Sequence, residues 1–158
     1  MKMAVFMDEI SSIKAYKDSS VAMLKSAYSL GIECFYFTQT DLYSKDGKAF
    51  ARVAEIVIID ENLTDFAQIK SMGVKNLADF DIILVRKDPP FTMEYIYAMQ
   101  ILALAEKDGV LVANKPATIC LANEKINILN YPDCIPPSIV TSNKGFNRVL
   151  AKTSRCYI

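Results

Sequence analysis

The stretch Asp81–Ala113, DIILVRKDPPFTMEYIYAMQILALAEKDGVLVA, decides the fold class. Asp81 to Arg86 is a continuous apolar run between two charged residues, the pattern of a strand buried on both faces. Met93 to Lys107 carries the strongest helical periodicity in the chain: Tyr95, Met99 and Leu102 fall on one face, widened by Ile96, Ile101 and Ala105. Asp108-Gly109 ends that helix, and Val110 to Ala113 supplies another apolar strand. Strand, helix and strand in succession predict a parallel βαβ unit with a right-handed crossover.

The same grammar precedes it. Ala4 to Met7 is a short apolar run stopped by Asp8. Lys17-Asp18-Ser19-Ser20 then offers helix-capping side chains. In the segment that follows, Val21, Leu24 and Tyr28 share a face, with Met23, Ala27 and Leu30 beside it, and Gly31 stands where a helix terminates. Glu33 to Phe37 predicts the next strand. Asp46-Gly47 is a hairpin turn signal, Arg52 to Asp60 predicts a strand, and Asn62 to Met72 is ambiguous and admits a short helix. Two βαβ units predict an α/β domain built on an open, mostly parallel, doubly wound sheet of about four or five strands.

From Asn123 onward the texture changes. A short helical segment spans Glu124 to Leu129, followed by Pro132, Pro136 and Pro137. Ser138 to Thr141 reads as a strand, Lys144 to Lys152 as a helix, and Cys156-Tyr157-Ile158 as the start of a strand. The expected organisation is one complete domain over 1–122 and an incomplete α+β subdomain over 123–158.

Composition removes several function classes. The 158 residues carry 18 Lys and Arg against 18 Asp and Glu, so an electrostatic nucleic-acid binder is excluded. Histidine is absent, which excludes Ser-His-Asp and Cys-His catalysis and any histidine zinc site. The cysteines Cys34, Cys120, Cys134 and Cys156 have no ligand-like spacing and read as buried thiols of a reducing, cytoplasmic compartment. Neither a signal peptide nor an apolar run of membrane-spanning length is present, so no membrane partner is expected.

In an open parallel sheet, ligands bind at the carboxyl ends of strands near the point where strand order reverses. That rule selects Met7-Asp8 and the cluster Arg86-Lys87-Asp88-Pro89-Pro90. Two readings of the cluster stand open: a solvated turn with a local ion pair, or a site where the Arg86 fork takes a carboxylate and Asp88 an amino group. Asp18, Ser19 and Ser20 likewise read either as a plain helix cap or as an anion site at a helix start. Lys125 reads as a solvated lysine, and Tyr95, Tyr97 and Met99 as core. No glycine-rich phosphate fingerprint occurs.

Several segments together resemble the bacterial glutathione synthetases, a family of ATP-grasp ligases. They are KDSSVAML from Lys17, DLY from Asp41, RKDPPFTMEYIYA from Arg86, ANKPATICLANEK from Ala113 and VTSNK from Val140, in that order. The resemblance implies a Rossmann-like pre-ATP-grasp domain followed by the beginning of an ATP-grasp domain. It also implies ligation of glycine to γ-glutamylcysteine through an acyl phosphate, with ATP and Mg2+ in the complete enzyme and substrate contacts expected from Asp18, Ser19, Ser20, Arg86 and Asp88. Lys125 matches a lysine that contacts ATP phosphate, no metal ligand is expected in this chain, and a homo-oligomer is implied. The chain departs from the family pattern at Cys120-Leu121, where Arg-Asp is common, and at Glu9, where proline is usual. Without the second lysine, glycine-rich loop and metal ligands of the family, the 158 residues are expected to be inactive alone. The alternative is a non-catalytic ligand-binding or oligomerisation module.

Overall fold

The computed structural model describes residues 1–59, 66–88, 90–122, 126–136 and 138–143. The chain divides into two compact units, Met1–Cys120 and Leu121–Ile158. The first contains strands β1 (Lys2–Phe6), β2 (Glu33–Phe37), β3 (Leu42–Lys45), β4 (Lys48–Ile58), β5 (Ala67–Asn76), β6 (Ile82–Val85) and β7 (Leu111–Ala113). Helices α1 (Ser19–Ser29), α2 (Met93–Lys107) and the short α3 (Pro116–Leu121) complete the regular elements.

The strands form one open sheet in the order β3-β4-β2-β1-β6-β7, with β5 on the other edge of β4. Strands β2, β1, β6 and β7 run parallel to one another, while β4 pairs antiparallel with β2, β3 and β5. Seven strands thus replace the four or five expected. The additional ones are β3, paired through the Asp46-Gly47 turn, and β5, which occupies most of the segment that admitted a helix.

Strand alternation distributes the core to two faces. Ala4 and Phe6 pack on one side with Phe35, Phe37, Ile83 and the α2 residues Met99 and Leu102. Met3, Val5 and Met7 pack on the other with Cys34, Tyr36 and the α1 residues Leu24 and Ala27. Helices therefore cover opposite faces, as a doubly wound sheet requires. In α1 the buried stripe is Val21, Leu24 and Ala27, whereas Tyr28, Met23 and Leu30 are exposed. A three-residue step keeps the smaller Ala27 against the sheet and turns the larger Tyr28 outward.

Two further expectations change. Ser138–Thr141 forms no strand: the Ser138 hydroxyl donates to the Pro136 carbonyl, and Thr141 Oγ1 accepts from the Asn143 amide. Such local side-chain bonds draw the backbone into turns in place of a ladder. Near 124–129 the described part is a 3-10 turn, Asn127–Asn130. Of the cysteines, Cys34 is buried, Cys120 half-buried and Cys134 exposed, Cys134 lying on the 3-10 turn Pro132–Cys134, none of whose residues is buried. Residues 144–152 and 156–158 lie outside the described residues. No described helix is long and apolar enough to cross a membrane.

Candidate functional site

The chain leaves β1 for β2 on one side and later returns to β6 on the other, so the strand order reverses between β1 and β6. The ladder continues past both strand ends: Met7 N donates to Phe37 O at 3.2 Å and Arg86 N to Phe6 O at 2.8 Å. These bonds aim Asp8 and Arg86 into the crevice above the sheet. A cavity of about 330 Å³ opens there.

The first turn of α1 forms one wall. Asp18 caps the helix, its carboxylate accepting from the amides of Ser20 at 2.7 Å and Val21 at 3.4 Å. Arg86 crosses to the same turn, donating from Nε to Ser20 Oγ at 3.2 Å and from Nη2 to Ser19 Oγ at 2.5 Å. Ser20 is only 4% exposed, so its hydroxyl is held in place as an acceptor. The cap reading is realised, and the cap itself lines the cavity.

The loop after β6 forms the opposite wall. Lys87 pairs with Asp8 at 2.8 Å and donates to the Asp88 carbonyl at 2.9 Å. The ion pair expected within the Arg86–Asp88 cluster therefore reaches β1 instead, and no described side chain pairs with the Asp88 carboxylate. Tyr95 of α2 donates its hydroxyl to Lys87 O at 3.5 Å, and Asn114 Nδ2 donates to Val85 O at 3.0 Å. Helix and β7 thus steady the loop from beneath. Tyr95 and Met99 are core residues, while Tyr97 is exposed.

The structure brings Asp18, Ser20, Arg86 and Asp88 around one cavity, with Ser19 joined through its bond to Arg86. Lys125 lies outside the described residues. Sequence reasoning missed Ser12, Ile13 and Lys14, which line the cavity from the loop after β1, and did not nominate Lys17, which lines it beside the cap. Ser12 to Lys14 carry no periodicity or capping signature; their position after the first strand was the only signal. The lining holds both cations, Lys14, Lys17 and Arg86, and carboxylates, Asp8, Asp18 and Asp88, a mixed-charge composition that suits a zwitterion better than a simple anion.

Residues 1–120 match the prokaryotic glutathione synthetase N-terminal domain. The chain belongs to this family. Among curated glutathione synthetases, that of Pseudomonas putida is 41% identical over 144 residues, covering 89% of this chain and 44% of its own. The Vibrio cholerae protein is 42% identical over 141 residues, covering 89% and 44%, and that of Pseudomonas syringae 39% over 152 residues, covering 96% and 47%. The chain spans about half the length of these glutathione synthetases, and the crevice between β1 and β6 lies wholly within the matched region.

Proposed function

We propose that this chain supplies the peptide-substrate face of a glutathione synthetase, an ATP-dependent ligase joining glycine to γ-glutamylcysteine through an acyl phosphate. Residues 1–122 serve as the pre-ATP-grasp domain and 123–158 begin the ATP-grasp domain. The observation that carries the reading is Arg86, held by Ser19 and Ser20 at the amino end of α1, on a cavity that Asp88 also lines with a carboxylate unpaired among the described residues. The γ-glutamyl group ends in an amino group and a carboxylate on one carbon. Arg86, Lys17 and the α1 dipole favour the carboxylate, and Asp88 the ammonium.

ATP and Mg2+ belong to the reaction of the complete enzyme. Lys125 is proposed to meet ATP phosphate. Among the described residues no group of three or more Cys, Asp or Glu side chains stands together. This chain's own part is binding and orientation: basic side chains neutralise the γ-glutamyl carboxylate and hold the peptide so that its cysteinyl carboxylate reacts elsewhere.

Calorimetric titration of the 158-residue chain tests the reading. γ-Glutamylcysteine is expected to bind and free glycine to give no heat; the absence of peptide binding would overturn it. Parallel assays should find no ATP hydrolysis dependent on γ-glutamylcysteine and glycine, and substrate-dependent turnover by these residues alone would refute the proposed inactivity.

A further inference from the structure

The β1–α1 loop, residues 8–18, carries one side of the crevice: Ser12, Ile13, Lys14 and Lys17 line the cavity. Its two ends are tied, Asp8 to Lys87 and Asp18 to the first amides of α1. Between them the chain makes a 3-10 turn, Ile10–Ser12, and a turn closed by Lys17 N on Lys14 O at 3.1 Å. Ile10 and Ile13 pack against the core on the α1 side of the sheet. These apolar contacts hold the loop down without setting its path, because the hydrophobic effect has no direction.

Direction comes from Glu9. Its carbonyl accepts from Ser12 N at 2.8 Å and from Ser12 Oγ at 2.6 Å, and its carboxylate accepts from the Tyr36 hydroxyl at 2.8 Å. Tyr36 belongs to β2, is 4% exposed, and packs in the same cluster as Met7 and Leu24. Burial, and then the Glu9 carboxylate, raise the Tyr36 pKa well above the ordinary phenol value, so the hydroxyl remains a donor throughout the physiological range. The bond thus joins a buried strand residue to exposed Glu9, from which the loop departs.

We propose that Tyr36 is a positioning residue for the peptide-substrate site: by holding Glu9 it fixes the loop that presents Ser12, Lys14 and Lys17 to the cavity. This role rests on the reading of that cavity as the γ-glutamylcysteine site. Without the bond the loop samples other paths, and apparent affinity falls with the fraction of molecules in which it is in place. A hydrogen bond to a carboxylate is of the stronger kind, and its loss should weaken peptide binding about tenfold. Backbone geometry offers a second restraint for comparison. Glu9 stands at φ −55° and ψ 128°, a φ that a proline ring imposes, and its N–H has no acceptor among the described residues. Proline here therefore restrains the start of the loop without the carboxylate.

Calorimetric titration with γ-glutamylcysteine and limited trypsin cleavage after Lys14 test it together on the 158-residue chain. Tyr36→Phe and Glu9→Ala should each weaken binding about tenfold and speed cleavage, and the double variant should lose no more than either alone. Glu9→Gln keeps the acceptor and Glu9→Pro the φ, so both should bind within about twofold of the parent. Tyr36→Phe placed on Glu9→Pro should cost no further affinity. A bond that serves stability alone would lower the thermal midpoint of Tyr36→Phe and leave binding and cleavage unchanged, which overturns the positioning role. So does a Tyr36→Phe loss undiminished on Glu9→Pro. A parent chain that binds no peptide overturns the substrate reading, and this role with it. Glu9 is exposed, so Glu9→Ala gives the answer if Tyr36→Phe fails to fold.

Discussion

Arg86 and Ser20, 66 residues apart in the chain, meet with Nε 3.2 Å from Oγ. That bond joins the end of β6 to the first turn of α1, and it brings together side chains from two βαβ units. A guanidinium anchored through Nε and Nη2 still presents its remaining N–H groups to the cavity. Arg86 is therefore oriented before any ligand arrives, which lowers the entropy lost on binding.

Replacing Arg86 with Ala is expected to weaken γ-glutamylcysteine binding by about ten- to a hundredfold, the worth of a charged hydrogen bond. Arg86→Lys should restore only part of this, because an ammonium cannot span both serines and the ligand. Calorimetry on the two variants checks the order. In the complete ligase the KM for γ-glutamylcysteine should rise more than that for ATP, and unchanged kinetics would remove Arg86 from the site.

Asp18→Ala removes the acceptor for the Ser20 and Val21 amides. The expected loss is about 1 kcal/mol of stability, read as a lower urea midpoint at constant slope. Asp18→Asn should retain most of it, since an amide oxygen caps nearly as well. Peptide binding should fall with the Ala variant too, because the first turn of α1 holds both serines that orient Arg86.

Burial pushes the Cys34 thiol up to about 11 from 9.0. A thiol whose folded pKa is raised is protonated in the folded state while the unfolded chain ionises. Its contribution to stability is therefore present below pH 9 and lost as pH rises toward 11. At neutral pH a thiol reagent should modify the exposed Cys134 in the native protein and reach Cys34 only in denaturant. Mass mapping of labelled peptides distinguishes the two.

The β3–β4 turn holds Asp46 at φ 51° and Gly47 at φ 75°. Gly47→Ala puts a Cβ on a left-handed residue and should cost about 1 kcal/mol, measured as a lowered thermal midpoint. Gly73→Ala is the contrast: Gly73 is not left-handed and a Cβ there meets nothing within 4 Å. Its midpoint should hold or rise slightly.

Elements with strong local patterns were legible without coordinates. Glu33–Phe37 and Met93–Lys107 match their predicted bounds, because apolar periodicity and the Asp108-Gly109 helix stop are local properties. β5 was not legible. Ile69 and Met72 are three apart, a helical spacing, and only the extra Lys70 puts both on one face of a strand. Pairing with β4 decided the matter, and a register shift between distant segments leaves no local signature. The candidate site shows the same split. Strand-end rules selected Arg86 and Asp88 and capping chemistry selected Asp18 to Ser20, while Lys14 and Ser12 reached the cavity through the path of an irregular loop.

By itself, the sequence determined the chemistry on offer and the order of elements. It excluded histidine-dependent catalysis, set the βαβ repeats and marked the family through motifs such as RKDPPF. Tertiary structure alone decided which charges meet. Lys87 forms its ion pair with the Asp8 carboxylate and not with that of its neighbour Asp88, and Arg86 turns to the serines of α1, so that Asp88 lines the cavity. The physical reason is that β1 and β6 lie side by side with parallel register, so side chains remote in sequence converge at their carboxyl ends.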